Sequence, residues 1–399
     1  MTQPDAAAHA TSTTTELLRT PLYKFHVAHQ AHLVPFAGYE MPLYYDGIIA
    51  EHQAVRTSAG IFDVSHMGIL TVRGPTAGQL LSRRTTADTS KLIPGQVRYT
   101  FLLDSDGRIL DDLLVTRVDV GGSAPPSFVV VPNAATATMV FDLLRQHRSP
   151  DTEVERHNGA VAILAVQGPK ALALLDRTLG WNLSPLPFYH ARLFGQTPSS
   201  GIPKEGRLPV DLPKDLSNGI YVSRTGYTGE PGAELFVRAD QAIALADRLV
   251  AAGVHPIGLG ARDTLRMEKG YLLSGQDFHR DRTPLEAAQS RFVDIDHPFV
   301  GHDVLVKQKA EGVKERFTGI TVADPSAIPR HGTPVLSDGK VVATATSGGM
   351  SPTLHYGIAL AYLPMALTAV GTPLELEVRG RRVPAKVAKL PFVPNAPAS

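Results

Sequence analysis

Two adjacent carboxylates, Asp111 and Asp112, stand inside the apolar run Ile109-Leu-Asp-Asp-Leu-Leu-Val115. The run reads as a strand, in which neighbours point to opposite faces. The two groups therefore cannot share a proton as an aspartic dyad would. Each has apolar neighbours two residues away: Ile109 and Leu113 for Asp111, Leu110 and Leu114 for Asp112. A carboxylate on an apolar face costs free energy unless it is paired or put to use, and burial favours its neutral form. Such a group suits charge stabilisation or proton transfer in a cleft. The alternative is a salt-bridged Asp at the strand rim, partnered by Arg98 or Arg117 across a hairpin.

A second constellation is Arg224-Thr-Gly-Tyr-Thr-Gly-Glu-Pro-Gly232, followed by Glu234. Glycines allow positive φ and close ligand approach. Tyr227 offers a flat ring, and the Glu234 carboxylate can accept two parallel hydrogen bonds from an amidine-like edge. Together they suit a planar heterocycle; an ordinary hairpin turn is the alternative. Gly258-Leu-Gly-Ala-Arg-Asp263 has two glycines of a dinucleotide fingerprint but Asp263 at the third, and no βαβ unit surrounds it, which excludes a Rossmann site. Arg262 and Arg266 lie one turn apart on the helix it opens. Arg262 could hold an anionic ligand or make a salt bridge. His26, His29 and His32 recur every third residue without an HExxH motif or nearby carboxylate. They read as a polar helix face and not a zinc site. Met67 reads as a core methionine.

These residues need elements to position them. Arg98 to Leu103 and Arg108 to Val118 form a hairpin around Asp104-Ser-Asp-Gly107. Phe128 to Val131 reads as a strand, and Ile48 to Ser58 and Thr136 to Arg145 as helices, Gly60 closing the first at its C′ position. Val72-Arg-Gly-Pro-Thr-Ala-Gly-Gln-Leu-Leu81 echoes Val166-Gln-Gly-Pro-Lys-Ala-Leu-Ala-Leu-Leu175. Each is a strand, Gly-Pro, then a helix with Pro at its first position, by duplication or by coincidence. Residues 196–219 read as an exposed loop. Strands at 317–322, 340–346, 357–362, 374–379 and 383–388 suggest a small antiparallel barrel or sandwich. No alternating βα series exists, so a doubly wound sheet is not expected.

At 399 residues and 43% apolar content the chain can bury several cores. A net charge of +1 disfavours nucleic acid as a partner. Arg379, Arg381 and Arg382 read as a solvated turn. The lack of cysteine rules out disulfides and thiolate metal sites. No run reaches the roughly 18 apolar residues of a membrane span. The first 15 residues carry no Arg or Lys, so no targeting segment is expected, and residues 1 to about 18 read as a disordered tail.

The ordered set Phe62-Asp-Val-Ser-His-Met-Gly68, Asp111-Asp112-Leu113, Val166-Gln-Gly-Pro169, Ser223-Arg-Thr-Gly-Tyr-Thr-Gly-Glu230, Gly258-Leu-Gly-Ala-Arg-Asp263, Ser274-Gly-Gln-Asp277 and Thr346-Ser-Gly-Gly-Met-Ser-Pro-Thr-Leu354 resembles the aminomethyltransferase family, the T-proteins of the glycine cleavage system. The match runs from about residue 20 to 393. The resemblance implies an α+β fold: a three-domain, cloverleaf-like arrangement of antiparallel sheets with flanking helices, a C-terminal β-barrel and a central folate cavity. It implies a discontinuous first domain at 19–68 and 155–280, a second at 69–154 carrying the central Asp, and the barrel at 281–399. By motif position, Asp112 matches the central catalytic carboxylate, Glu234 the pterin contact and Arg262 the folate-side arginine. Met67, Tyr99, Asn133, Tyr189, Tyr227 and Tyr271 match other cavity positions. Arg291 stands where many of the family have tryptophan. The implied partners are tetrahydrofolate as co-substrate and a lipoylated H-protein, with no metal, nucleic acid or membrane, in the cytoplasm. Two related readings are a folate-dependent demethylase and a non-catalytic folate-binding protein. The latter carries Lys-Gly-Cys where this chain has Lys269-Gly270-Tyr271.

Overall fold

The alternation around the central carboxylates builds an antiparallel hairpin. In the computed structural model, which describes residues 16–118, 125–195, 216 and 219–394, Val97–Leu103 pairs with Ile109–Val118 across a turn where Gly107 has φ +73°. Ser127–Val131, Leu70–Arg73 and Glu153–Arg156 extend the hairpin to a five-stranded sheet. Helices Ala77–Arg84 and Ala137–His147 cover its outer face, where Leu81 and Leu144 pack on Leu113, Val115 and Phe128.

A six-stranded sheet runs in the order Ala191–Gly195, Gly219–Ser223, Gly232–Arg238, Val161–Gln167, Gly60–Asp63, His255–Ile257. Only its last pairing is parallel. One face packs on helices Ala171–Leu179 and Ala239–Ala251. The other, through Phe62, Ile163, Tyr221 and Phe236, meets Val97, Val118 and Val129 of the five-stranded sheet. The five-stranded sheet is thus inserted after Gly60–Asp63, and its strand Glu153–Arg156 straddles the expected division at 154/155. The strands of the last third form a closed barrel and not a sandwich. Its sixth strand, Pro334–Ser337, is too short and Pro-led to show alternation in the sequence. Phe317, Ile358 and Tyr362 of the barrel pack on Phe101, Leu103 and Ile109 of the hairpin. Two apolar cores thus join the six-stranded sheet, the five-stranded sheet and the barrel.

The strand–Gly-Pro–helix echo is the same junction built twice. Gly74 and Gly168 have φ of +146° and +136°, and a Cβ on either would lie 2.4 Å from a backbone oxygen. The prolines precede the N-caps Thr76 and Lys170. They sit two residues before the first helical position, because a turn in which Ala77 and Ala171 hydrogen-bond back to Gly74 and Gly168 precedes each helix. Gly60 is not a helix cap either. The helix ends at Thr57, and Gly60 opens a strand where a Cβ would sit 2.3 Å from Ile257. Of the expected tail, residues 1–15 lie outside the described residues, while Leu18 hydrogen-bonds with Gly38 and Glu40. Most of the expected loop at 196–219 also lies outside them. Among the described residues no helix is long and apolar enough to cross a membrane.

The histidine triplet does not share a face. The helix Tyr23–Ala28 holds only His26, which is buried between Asp63 (2.9 Å) and the Tyr45 hydroxyl (2.8 Å). His29 caps that helix, and His32 stacks on Tyr44 in the next strand. The element ends inside the repeat, so a spacing of three carries no helical meaning there.

Glu268 locks the units together. Its carboxylate accepts from Arg56 Nη2 (2.7 Å), Ser351 Oγ (2.6 Å) and the Thr353 amide (3.0 Å), with His52 Nε2 at 3.3 Å. These groups lie on helix Ile48–Thr57 and in and after the barrel strand Lys340–Ser351. Burial alone would raise its pKa. The His52 contact, Ser351 and Arg56 outweigh burial and hold it down to about 2. A folded pKa below the unfolded value means stability that is present above about pH 4.5 and lost as pH falls towards 2. Its full size is on the order of 3 kcal/mol. Glu268→Gln is expected to lower the melting temperature at pH 7 and to flatten its decline between pH 4.5 and 2, as followed by calorimetry. An undiminished acid decline in that variant would place the acid sensitivity elsewhere.

Candidate functional site

The inner ends of the sheets enclose a cavity of about 510 Å³, within the usual range for small-molecule clefts of roughly 300–1,000 Å³. All nine expected site residues line it: Met67, Tyr99, Asp112, Asn133, Tyr189, Tyr227, Glu234, Arg262 and Tyr271. Asp111 does not.

The strand alternation explains that split. Asp111 is fully buried behind the sheet, while Asp112 is half-buried and opens to the cavity. Neither makes the salt bridge considered above. Arg98 pairs with Asp294 at 2.7 Å, and Arg117 donates to the Leu92 carbonyl. Instead, the Asn133 side-chain amide reaches both carboxylates, at 2.9 Å from Asp111 Oδ1 and 2.7 Å from Asp112 Oδ1. Its backbone N–H donates to Asp111 Oδ2 at 3.1 Å. The Tyr99 hydroxyl donates to Asp112 Oδ2 at 2.7 Å. Asp112 is therefore held by one donor on each oxygen. Burial raises its pKa, partly offset by Tyr99 and Asn133. Burial and the Asp112 charge push Asp111 up as well, to about 7.

The Gly-rich segment is a hairpin connection and also a cavity wall. Ser223 pairs with Glu234 across it, and Thr225, Gly226 and Tyr227 line the space. Gly226 is required by packing, since a Cβ there would lie 1.9 Å from Gln167 Oε1. Thr225 donates its hydroxyl to Glu234, a half-buried carboxylate whose pKa burial raises and Thr225 partly restrains. Tyr227 donates to the Leu272 carbonyl, which fixes its ring.

The two arginines divide the roles that spacing left open. Arg266 is buried and paired with Asp277 (2.8 Å) and Asp263 (2.7 Å), so it is the structural one. Arg262 lines the cavity with its guanidinium 4.6 Å from the centre of the Tyr227 ring. Tyr271 packs 5.8 Å from Tyr227, and Tyr189 is held at φ +58°, a conformation rare outside glycine. Met67 packs on the core and borders the cavity as well.

Sequence reasoning missed Thr225, His66 and the mouth residues Phe36 and Phe188, while Arg291, noted as standing where many of the family have tryptophan, does line the cavity. Thr225 could have been found as the hydroxyl two residues before Tyr227. Among the described residues no group of three or more His, Asp or Glu side chains is placed to hold a metal. The arrangement offers two separate carboxylates, one guanidinium and several aromatic rings around one space. It can grip a flat amidine-like edge at Glu234 and stabilise positive charge at Asp112.

Comparison with known proteins gives a consistent result. The family model of the GCVT N-terminal domain matches residues 22–197 and 217–297, and that of the glycine cleavage T-protein C-terminal barrel domain matches residues 315–394. An aminomethyltransferase of Nostoc sp. is 40% identical over 388 residues, covering 96% of this chain and 98% of that protein. One from Geobacillus sp. is 38% identical, with 95% and 100% covered. The crystal structure of the glycine cleavage system aminomethyltransferase T from Bartonella henselae superposes with a TM-score of 0.83 at 32% identity, covering 95% of this chain and 99% of that one.

Proposed function

The chain belongs to the glycine cleavage T-protein family and is an aminomethyltransferase, and from that premise we propose how its cavity does the work. The co-substrate is tetrahydrofolate and the donor is the aminomethyl group on the lipoyl arm of an H-protein. The donor carbon lies between nitrogen and sulfur. Both of those bonds break, and the carbon ends joined to folate N5 and N10. The two folate N–H protons balance the equation, leaving as part of ammonia and the dihydrolipoyl thiol.

The observation that carries this reading is that one cavity gathers Asp112 and Glu234 from different sheets. Glu234 accepts the pterin's amidine edge, a bidentate match. Arg262 and Tyr227 border the same part of the cavity. As the donor loses ammonia and N5 takes the carbon, positive charge develops on an iminium-like centre. A fixed carboxylate in a water-poor cavity stabilises such charge strongly. Asp112 supplies it, held by Tyr99 and Asn133, and also orients N10. Its raised pKa suits it to pass a proton. We take the six-stranded sheet, the five-stranded sheet and the barrel as the centres of the three units, and a cytoplasmic location fits a thiol-bearing carrier.

Ammonia release from aminomethyl-loaded H-protein is expected to rise by orders of magnitude on adding tetrahydrofolate. Folate binding without carrier-dependent ammonia release would favour a demethylase or a binding protein instead.

A further inference from the structure

Asp111 is wholly buried and does not line the cavity, so it cannot touch a substrate there. Its surroundings on the sheet are apolar. Leu102 is its partner across the hairpin, and Leu113 follows two residues on, on the same face. A carboxylate in such a place costs free energy unless its oxygens are hydrogen-bonded.

Both oxygens accept from one residue. Asn133 donates its backbone N–H to Oδ2 at 3.1 Å and a side-chain N–H to Oδ1 at 2.9 Å. The Asn133 carbonyl is held as well, by the amide and hydroxyl of Thr136, the N-cap of helix Ala137–His147. The same Asn133 Nδ2 reaches Asp112 Oδ1 at 2.7 Å. An amide nitrogen carries two hydrogens, and two carboxylates from opposite faces of one strand receive them. Turning the amide by 180° would aim its oxygen at a carboxylate, so the two acids together leave it one orientation. Resting on the role given above to Asp112, we propose that Asp111 is a positioning residue, which fixes the Asp112 carboxylate against the developing cation by orienting the Asn133 amide.

The test is a double-mutant cycle in the full chain, with turnover and tetrahydrofolate affinity measured for each member. Asp111→Asn keeps the shape but replaces one acceptor by an NH2 group, which is set against one of the two Asn133 N–H groups. It is expected to lower kcat by about tenfold and to leave tetrahydrofolate affinity unchanged. Added to Asp112→Asn, which has no charge left to aim, it is expected to cost no further turnover, because groups that act as a unit are not additive. A further loss of about tenfold in the Asp112→Asn background would show an effect that does not pass through Asp112, and would overturn the proposal. So would an unchanged kcat in Asp111→Asn, or a loss of folate affinity equal to the loss of kcat. Where Asp111→Asn does not fold, Asp111→Ser, whose hydroxyl reaches less far towards Asn133, carries the same four comparisons. Near wild-type turnover in Asp112→Asn would overturn the reading of Asp112 itself, and this proposal with it.

Discussion

Asp112→Asn is expected to lower turnover by about 10²–10³-fold, the usual scale for removing one preorganised electrostatic group. Folate affinity should change little. Asn keeps the shape of the side chain. Its oxygen still accepts from Asn133, and the Tyr99 hydroxyl can rotate to accept from the new amide, so the two contacts at 2.7 Å have substitutes. What disappears is the negative charge opposite the developing cation. The pH profile separates this role from a purely spatial one. The ionised carboxylate is the active form, so activity rises with pH through the Asp112 pKa. Burial lifts that pKa above the ordinary value of an aspartate. The acid limb of kcat should therefore lie above the ordinary carboxylate range and vanish in Asp112→Asn. Stopped-flow or steady-state ammonia release across pH reads both effects. Near wild-type turnover in the variant would remove Asp112 from the chemistry.

Glu234→Gln is expected to act on the other side of the ledger, raising the KM for tetrahydrofolate by about 10- to 100-fold with a smaller change in kcat. The carboxylate offers two acceptors to two parallel N–H groups. Glutamine replaces one acceptor by a donor and sets it against a donor. It also weakens the contact with Thr225, which holds Glu234 in place. Direct folate binding by calorimetry should show the same loss as the KM. A variant with intact affinity and reduced kcat would move Glu234 from recognition to chemistry.

The local parts of this site were legible because they rest on short-range rules. Alternation around Ile109–Val118 identified the strand and put the two Asp side chains on opposite faces. It could not foresee that Asn133, from the loop after the neighbouring strand, would reach both carboxylates. The Asp-Ser-Asp-Gly turn announced its hairpin by residue type. Arg262 and Arg266 looked alike because one helical turn separates them. What distinguishes them is Asp277, which reaches Arg266 from a later segment. The histidine repeat misled because periodicity has meaning only while the element continues, and this helix stops at Ala28. Gly60 was misread for a related reason: its need is set by Ile257, nearly two hundred residues away in the chain. The order of motifs, and not any single one, carried the family resemblance. Placing those motifs around one cavity required the long-range strand pairing.

The most direct measurement of the central claim follows the carbon itself. H-protein loaded with a ¹³C-labelled aminomethyl group is mixed with tetrahydrofolate and enzyme, and NMR records where the label goes. The account predicts that the label moves to the methylene bridge between N5 and N10 with ammonia released in equal amount, and that Asp112→Asn slows both together. Label that stays on the carrier, or leaves as free formaldehyde at the same rate with and without folate, would contradict it.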